Sequence, residues 1–138
     1  EFPLDTSDED LPGLTAALEA IRAQDCTPVL FSSRGERSGL SPRQQRQLAF
    51  RMAQVVLNLE PPLGYVVAKG GTTSFTWLAR GMGLTQLRLL GQLQPGLSIV
   101  QPTQPHERFG LLPVVTFPGN LGNGQSLKRC WQQLEQLR

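Results

Sequence analysis

The six residues Lys69-Gly70-Gly71-Thr72-Thr73-Ser74 carry the types and spacing best suited to chemistry. Two successive glycines let backbone amides approach a ligand closely or adopt positive φ. The hydroxyls add hydrogen-bond donors, and Lys69 adds a positive charge. A helix opening at this point would contribute unpaired N–H groups and the positive end of its dipole, an arrangement suited to phosphate. The spacing is not that of a G-x-x-x-x-G-K-[ST] loop, nor that of G-x-G-x-x-G. Without those signatures the segment also fits a plain strand-to-helix connection. Gly119-Asn120-Leu121-Gly122-Asn123-Gly124 is a second candidate, readable as a flexible turn or as the other side of a phosphate cradle. Ser32-Ser33-Arg34 is a third.

Other chemistries have little to work with. The single histidine, His106, lies in a proline-punctuated loop, so no Ser-His-Asp or Cys-His arrangement is evident. Cys26 and Cys130 are far apart and form neither a disulfide framework nor a zinc-ligand pattern. Every aspartate (Asp5, Asp8, Asp10, Asp25) falls in the first 25 residues, and only Glu36, Glu60, Glu107 and Glu135 follow residue 30. Paired-carboxylate catalysis and a carboxylate metal cage are therefore poorly supplied. No catalytic residue is assigned, and no metal ligands are expected. Arg43, Arg46 and Arg51 read as one basic helix face without interleaved aromatics, which argues against nucleic-acid binding.

The elements that must position these loops follow from hydrophobic periodicity. Leu11, Leu14, Leu18 and Ile21, with Ala17, recur at helical spacing after a possible cap at Ser7 or Asp8, and the helix should fade near Gln24. Pro28–Ser32 reads as a short buried strand. Ser41-Pro42 opens a second helix with Leu48, Met52, Val55, Val56 and Leu59 inward, stopped by Pro61-Pro62. Tyr65–Ala68 reads as a strand, about Thr73–Met82 as a helix, and Leu87–Leu93, Leu97–Val100 and Leu111–Thr116 as strands. A final amphipathic helix carries Leu127, Trp131, Leu134 and Leu137. Trp77 and Trp131 are expected in the core.

This order predicts a single α/β domain over residues 1–138, with a mixed, mostly parallel sheet and helices on both faces. The stretch 87–117 breaks the alternation and should contain some antiparallel strands. In such sheets ligands bind beyond the carboxyl ends of strands, so the loops 33–40, 69–73 and 117–125 are expected to converge. At 138 residues the chain has one domain's worth of length, and no apolar run approaches the ~18 residues of a membrane span. The N-terminus lacks a basic-then-apolar signal pattern, so a cytoplasmic location is expected. The net charge of +2 is unevenly spread. Residues 1–30 hold seven acids and one base, and the remainder twelve bases and four acids. A basic body favours an anionic ligand or simply solvates the surface.

Four segments in order also resemble a known family. Tyr65-Val66-Val67-Ala68-Lys69-Gly70-Gly71-Thr72-Thr73-Ser74 is similar to the "VVAGG[DE]TS" signature of the four-carbon acid sugar kinases. Leu90–Gly96 resembles that family's "G-x-[IL]-x-PG" segment. Val114–Gly122 resembles its "L-K-S-G-N-F-G" strand and loop, and Val29–Ser33 its "V-x-x-[ST]S" strand. Over roughly residues 28–137 the resemblance implies the C-terminal, nucleotide-binding domain of an ATP-dependent kinase of small sugar acids. ATP, with Mg²⁺, would then be the cofactor. Lys69, Gly70, Gly71, Thr72, Thr73, Ser74, Gly119, Asn120 and Gly122 would line the nucleotide site. The sugar acid would be bound by an N-terminal domain absent from this chain, so the isolated domain is not expected to be active alone. Two positions depart from the pattern. Thr72 replaces an acidic residue and Phe117 a lysine, which leaves as the alternative a degenerate module of the same fold that binds another small anion or a protein partner.

Overall fold

The computed structural model describes residues 1–32 and 39–137. It divides into two compact units, Glu1–Glu60 and Pro61–Arg138.

In the N-terminal unit, Ser7 donates through its backbone N–H and hydroxyl to the Asp10 carboxylate, at 2.8 and 2.7 Å. These bonds hold the Asp10 carboxyl below its ordinary range. One 3₁₀ turn, Asp8–Asp10, leads into α1, Leu11–Arg22. Helix α2 spans Pro42–Leu57, and the Ser41 hydroxyl caps it by accepting from the Gln44 N–H. Leu11 and Leu18 of α1 and Leu48, Ala49, Ala53 and Val55 of α2 are buried, together with Phe2 and Leu59. Met52 and Val56 are only half-buried, and Ala17 is exposed. Polar bonds tie the helices further. Glu19 pairs with Arg22 at 2.8 Å and accepts from the Glu60 N–H at 2.7 Å. Arg51 pairs with Asp8 at 2.9 Å and donates to the Thr6 carbonyl at 2.7 Å.

The strand expected at 28–32 is reduced to an isolated parallel bridge between Phe2 and Ser32. Its apolar residues have no sheet to enter within this unit, and Val29 and Phe31 stand 60% and 53% exposed. A strand owes its stability to paired neighbours. One bridging residue does not replace them.

The C-terminal unit contains a four-stranded sheet in the order β1-β4-β3-β2. The strands are β1, Val66–Lys69; β2, Leu87–Gln94; β3, Leu97–Pro102; and β4, Val114–Phe117. The sheet is mixed, as expected, but not mostly parallel. Only β1 and β4 run parallel, while β2–β3 and β3–β4 are antiparallel. For β2–β3 the reason is the two-residue turn Pro95-Gly96, with Gly96 at φ 83°. A connection that short joins only antiparallel strands.

Alternation along the strands places Tyr65 and Val67, Val115 and Phe117, Leu97 and Ile99, and Leu93 in one packed cluster. Helix α4, Ser126–Leu137, seals that cluster with Cys130 and Leu134. Burial raises the Cys130 thiol pKa, so this cysteine behaves as a small apolar side chain. Trp131, on the same helix, is 40% exposed rather than in the core. The residues between, Ala68 and Val114, are buried on the alternate side of the pleat. Helix α3, Gly71–Phe75, follows β1 directly and packs against β1 and β4. It continues as a π-wound stretch, Thr76–Gly81, that buries Trp77 and Leu78. Among the described residues, no helix is long and apolar enough to cross a membrane.

Candidate functional site

Register decides which loops meet. In the parallel pair β1–β4, Lys69 lies directly opposite Phe117. Both strands therefore release their loops at the same end of the sheet. The antiparallel pairing of Ser98 with Thr116 brings the β2–β3 turn to that end as well. The loop 103–113, with His106 and Glu107, leaves from the opposite end, beyond the Val100–Val114 pair.

Contacts bind these loops together. The Gly70 N–H donates to the Phe117 carbonyl at 2.7 Å and extends the ladder by one bond. A Cβ at Gly119 would lie 3.5 Å from the Gly70 Cα, so the two glycines face each other at a spacing that one methyl group would fill. At Gly96, a Cβ would stand 2.8 Å from a Leu121 methyl, so Leu121 sits over the β2–β3 turn. Two of the three loops expected to converge, 69–73 and 117–125, do so. Most of the third, residues 33–38 including Ser33 and Arg34, lies outside the described residues.

Within the first loop, the candidate residues divide by what their atoms already do. Gly70 has φ 110°, a conformation that favours glycine. Ser74 is buried, and its hydroxyl is directed at the carbonyls of Ala68 and Gly70, at 3.0 and 2.9 Å. That hydroxyl braces the turn. The Ser74 N–H closes the first helical bond to the Gly70 carbonyl at 2.9 Å. The N–H groups of Gly71, Thr72 and Thr73 open the helix and have no partner within it. Gly71 and Thr72 are exposed, and beyond its chain neighbours and its own helix backbone nothing lies within 4 Å of a Cβ placed on Gly71.

Lys69 turns toward the second loop. Its ammonium stands 4.0 Å over the Phe117 ring. It reaches the carbonyls of Pro118, Gly119 and Leu121 at 3.2, 3.3 and 3.2 Å. The Phe117 ring beneath it is 1% exposed and belongs to the core. The positive charge at this end of the sheet thus rises from β1, on the aromatic floor that β4 supplies.

The second loop ends in a tight turn. Gly122 has φ 86°, and a Cβ there would meet the Ser126 Oγ and Cβ at 2.5 and 2.6 Å. Ser126 in turn accepts from the Asn123 N–H at 2.8 Å, and Asn123 Oδ1 accepts from the Gln125 N–H at 3.0 Å. Gly119 and Asn120 are exposed at the loop's outer face.

Two features of the site escaped the sequence reading. The Pro95-Gly96 turn supports the second loop through Leu121, and its proline-glycine pair was the available signal. Lys128 and Arg129 fall in the first turns of α4. Cations there add to the positive helix end instead of offsetting it. The C-terminal unit carries Lys69, Arg80, Arg88, Arg108, Lys128 and Arg129 against Glu107 and Glu135 among its described residues. Glu135 accepts from the Tyr65 hydroxyl at 2.6 Å, at the start of β1 and away from the glycine loops. No group of three or more His, Cys, Asp or Glu able to hold a metal ion occurs among the described residues.

Residues 5–127 match the model of the nucleotide-binding C-terminal domain family, and the chain belongs to that family. Among solved structures, it is similar to a Bordetella bronchiseptica protein described as a domain of unknown function, DUF1537, crystallised with citrate as a domain-swapped dimer. The identity is 26% and the TM-score 0.62, over 93% of this chain and 32% of that one. A second crystal form of the same protein shares the fold at a TM-score of 0.58 and 22% identity, over 94% of this chain and 37% of that one. The chain spans about a third of the length of these neighbours. No curated protein matches it.

Proposed function

We propose that the converging loops hold the phosphates of ATP, and that the chain is the nucleotide half of a longer protein resembling the four-carbon acid sugar kinases. The observation that carries this reading is the close approach of Gly119 to Gly70, which brings two glycine loops together beside an open helix start. The amides of Gly71, Thr72 and Thr73 and the hydroxyl of Thr72 would donate to phosphate oxygens. Lys69, Lys128 and Arg129 supply the positive field. Gly119, Asn120 and Gly122 shape the facing wall. Bound ATP would supply a transferable phosphoryl group. A sugar acid acceptor would come from the remainder of the longer protein.

A protein-held metal fits poorly. The position after the two glycines is Thr72, and the carboxylates of Glu107 and Glu135 lie toward the other end of the sheet. Among the described residues of this unit no carboxylate stands beside the glycine loops, so Mg²⁺ there would be held through the phosphates.

Calorimetric titration with ATP and ADP, with and without Mg²⁺, tests the reading. Saturable binding is expected, and at a free concentration of 100 Kd it adds about 2.7 kcal/mol of stability. A second reading, a small-anion module without ATP, draws on Thr72, Phe117 and the citrate bound by the Bordetella protein. Citrate binding with no response to millimolar ATP would favour it.

Lys69 separates two roles. Lys69→Met keeps an unbranched side chain and removes the charge that stands over Phe117, with its donors. If the charge reaches phosphate, ATP affinity falls by about tenfold or more and adenosine affinity much less. Equal losses for the two ligands would confine Lys69 to holding the second loop.

A further inference from the structure

The helix that opens at Gly71 borders a second feature. Phe75, Leu78 and Ala79 line an open cleft of about 530 Å³, with Leu84, Thr85 and Leu87 forming the rest of its wall. Small-molecule sites commonly enclose ~300–1,000 Å³. The Phe75 ring is 60% exposed, so it contributes little to the core. Leu78 and Ala79, in the following turn, line the same cleft. The wall is formed where the chain is π-wound, with the Met82 N–H reaching back five residues to the Trp77 carbonyl at 2.9 Å. Such winding is rare and concentrates at functional sites. Phe75 lies one helical turn beyond Gly71, a rise of about 6 Å. A ribose can bridge that interval, with phosphates at the loop and the base in the cleft.

We propose that this cleft receives the base of the nucleotide, stacked on Phe75, with the Thr85 side chain as its polar neighbour. The proposal rests on the reading that the glycine loops hold the phosphates. It explains why an aromatic ring and an apolar wall stand open beside a loop that itself offers only polar contacts.

Photolabelling of the full chain with 8-azido-ATP, followed by peptide mapping, tests the location. Label is expected within residues 75–87. Affinities for ATP and for inorganic triphosphate are then compared in Phe75→Ala and Phe75→Tyr. Loss of a stacked base weakens ATP by about fivefold or more in Phe75→Ala. Phe75→Tyr should retain wild-type affinity, and triphosphate should bind all three proteins equally. ATP binding that is lost in Gly71→Val but unchanged in Phe75→Ala would overturn the base site and leave the phosphate loop standing. So would label elsewhere. Self-association that depends on Phe75, with ATP affinity unchanged, would assign the cleft to a second copy of the chain and also overturn the proposal. A wild-type chain that binds neither ATP nor triphosphate would overturn both readings.

Discussion

Gly71→Val is expected to remove nucleotide binding and leave the fold intact. The two halves of that expectation rest on separate observations. Apart from its chain neighbours and the backbone of its own helix, nothing lies within 4 Å of a Cβ at this position, and its φ is not in the left-handed region. The valine methyls therefore enter the space over the helix start without displacing any side chain. That same space is where a phosphate must sit to reach the amides of Gly71, Thr72 and Thr73. A hydrogen bond to a charged group contributes about 1.5–3 kcal/mol. Losing two weakens binding by roughly 100-fold or more. Calorimetry measures the loss, and an unchanged melting temperature shows that the fold is retained. An ATP affinity within threefold of wild type would remove the Gly-Gly loop from the site. Gly70 is no substitute for this test, because its φ of 110° makes any side chain there a backbone perturbation.

The sequence made local features legible where local physics decides them. Ser41-Pro42 announced α2, because a capping hydroxyl and a proline at the first helical position act within one turn. Tyr65–Ala68 and Leu111–Thr116 read as strands because short β-branched runs between breakers have few other solutions, and the observed strands Val66–Lys69 and Val114–Phe117 lie within three residues of those bounds. Pairing was less legible. β1 and β4 are neighbours although more than forty residues separate them, and nothing in Val66–Lys69 names its partner. The segment 28–32 had the composition of a strand and lacked a sheet to join. For the site, the two glycine loops could be located from their residue types. The destinations of individual side chains could not. Ser74 turns inward to brace Ala68 and Gly70, and Lys69 extends to three carbonyls of a loop that follows it by about fifty residues. Those outcomes depend on register, which sequence periodicity does not encode across long separations.

Gly122→Ala is expected to act in the opposite order to Gly71→Val, on stability first and on affinity as a consequence. The left-handed conformation costs a non-glycine residue about 1–2 kcal/mol. The added Cβ would also fall 2.6 Å from the Cβ of Ser126, which the first turn of α4 fixes in place. Rotating the serine hydroxyl cannot relieve a contact between two Cβ atoms, so the backbone must move, at a further cost of about 1–3 kcal/mol. A total near 3 kcal/mol lowers the melting temperature by about 10 °C in a domain of this size. Gly124→Ala is the matched control, since no atom lies within 4 Å of its added Cβ and its φ is not in the left-handed region. It should stay within about 0.5 kcal/mol of wild type. Equal melting temperatures for the two variants would mean that the Gly122 turn does not hold α4 against the loop. If they differ as expected, weaker ATP binding in Gly122→Ala follows from geometry. Leu121, next to the displaced residue, gives Lys69 one of its three carbonyls and rests on the Gly96 turn. A shift at Gly122 therefore reaches the facing wall of the site without touching the amides that Gly71→Val obstructs.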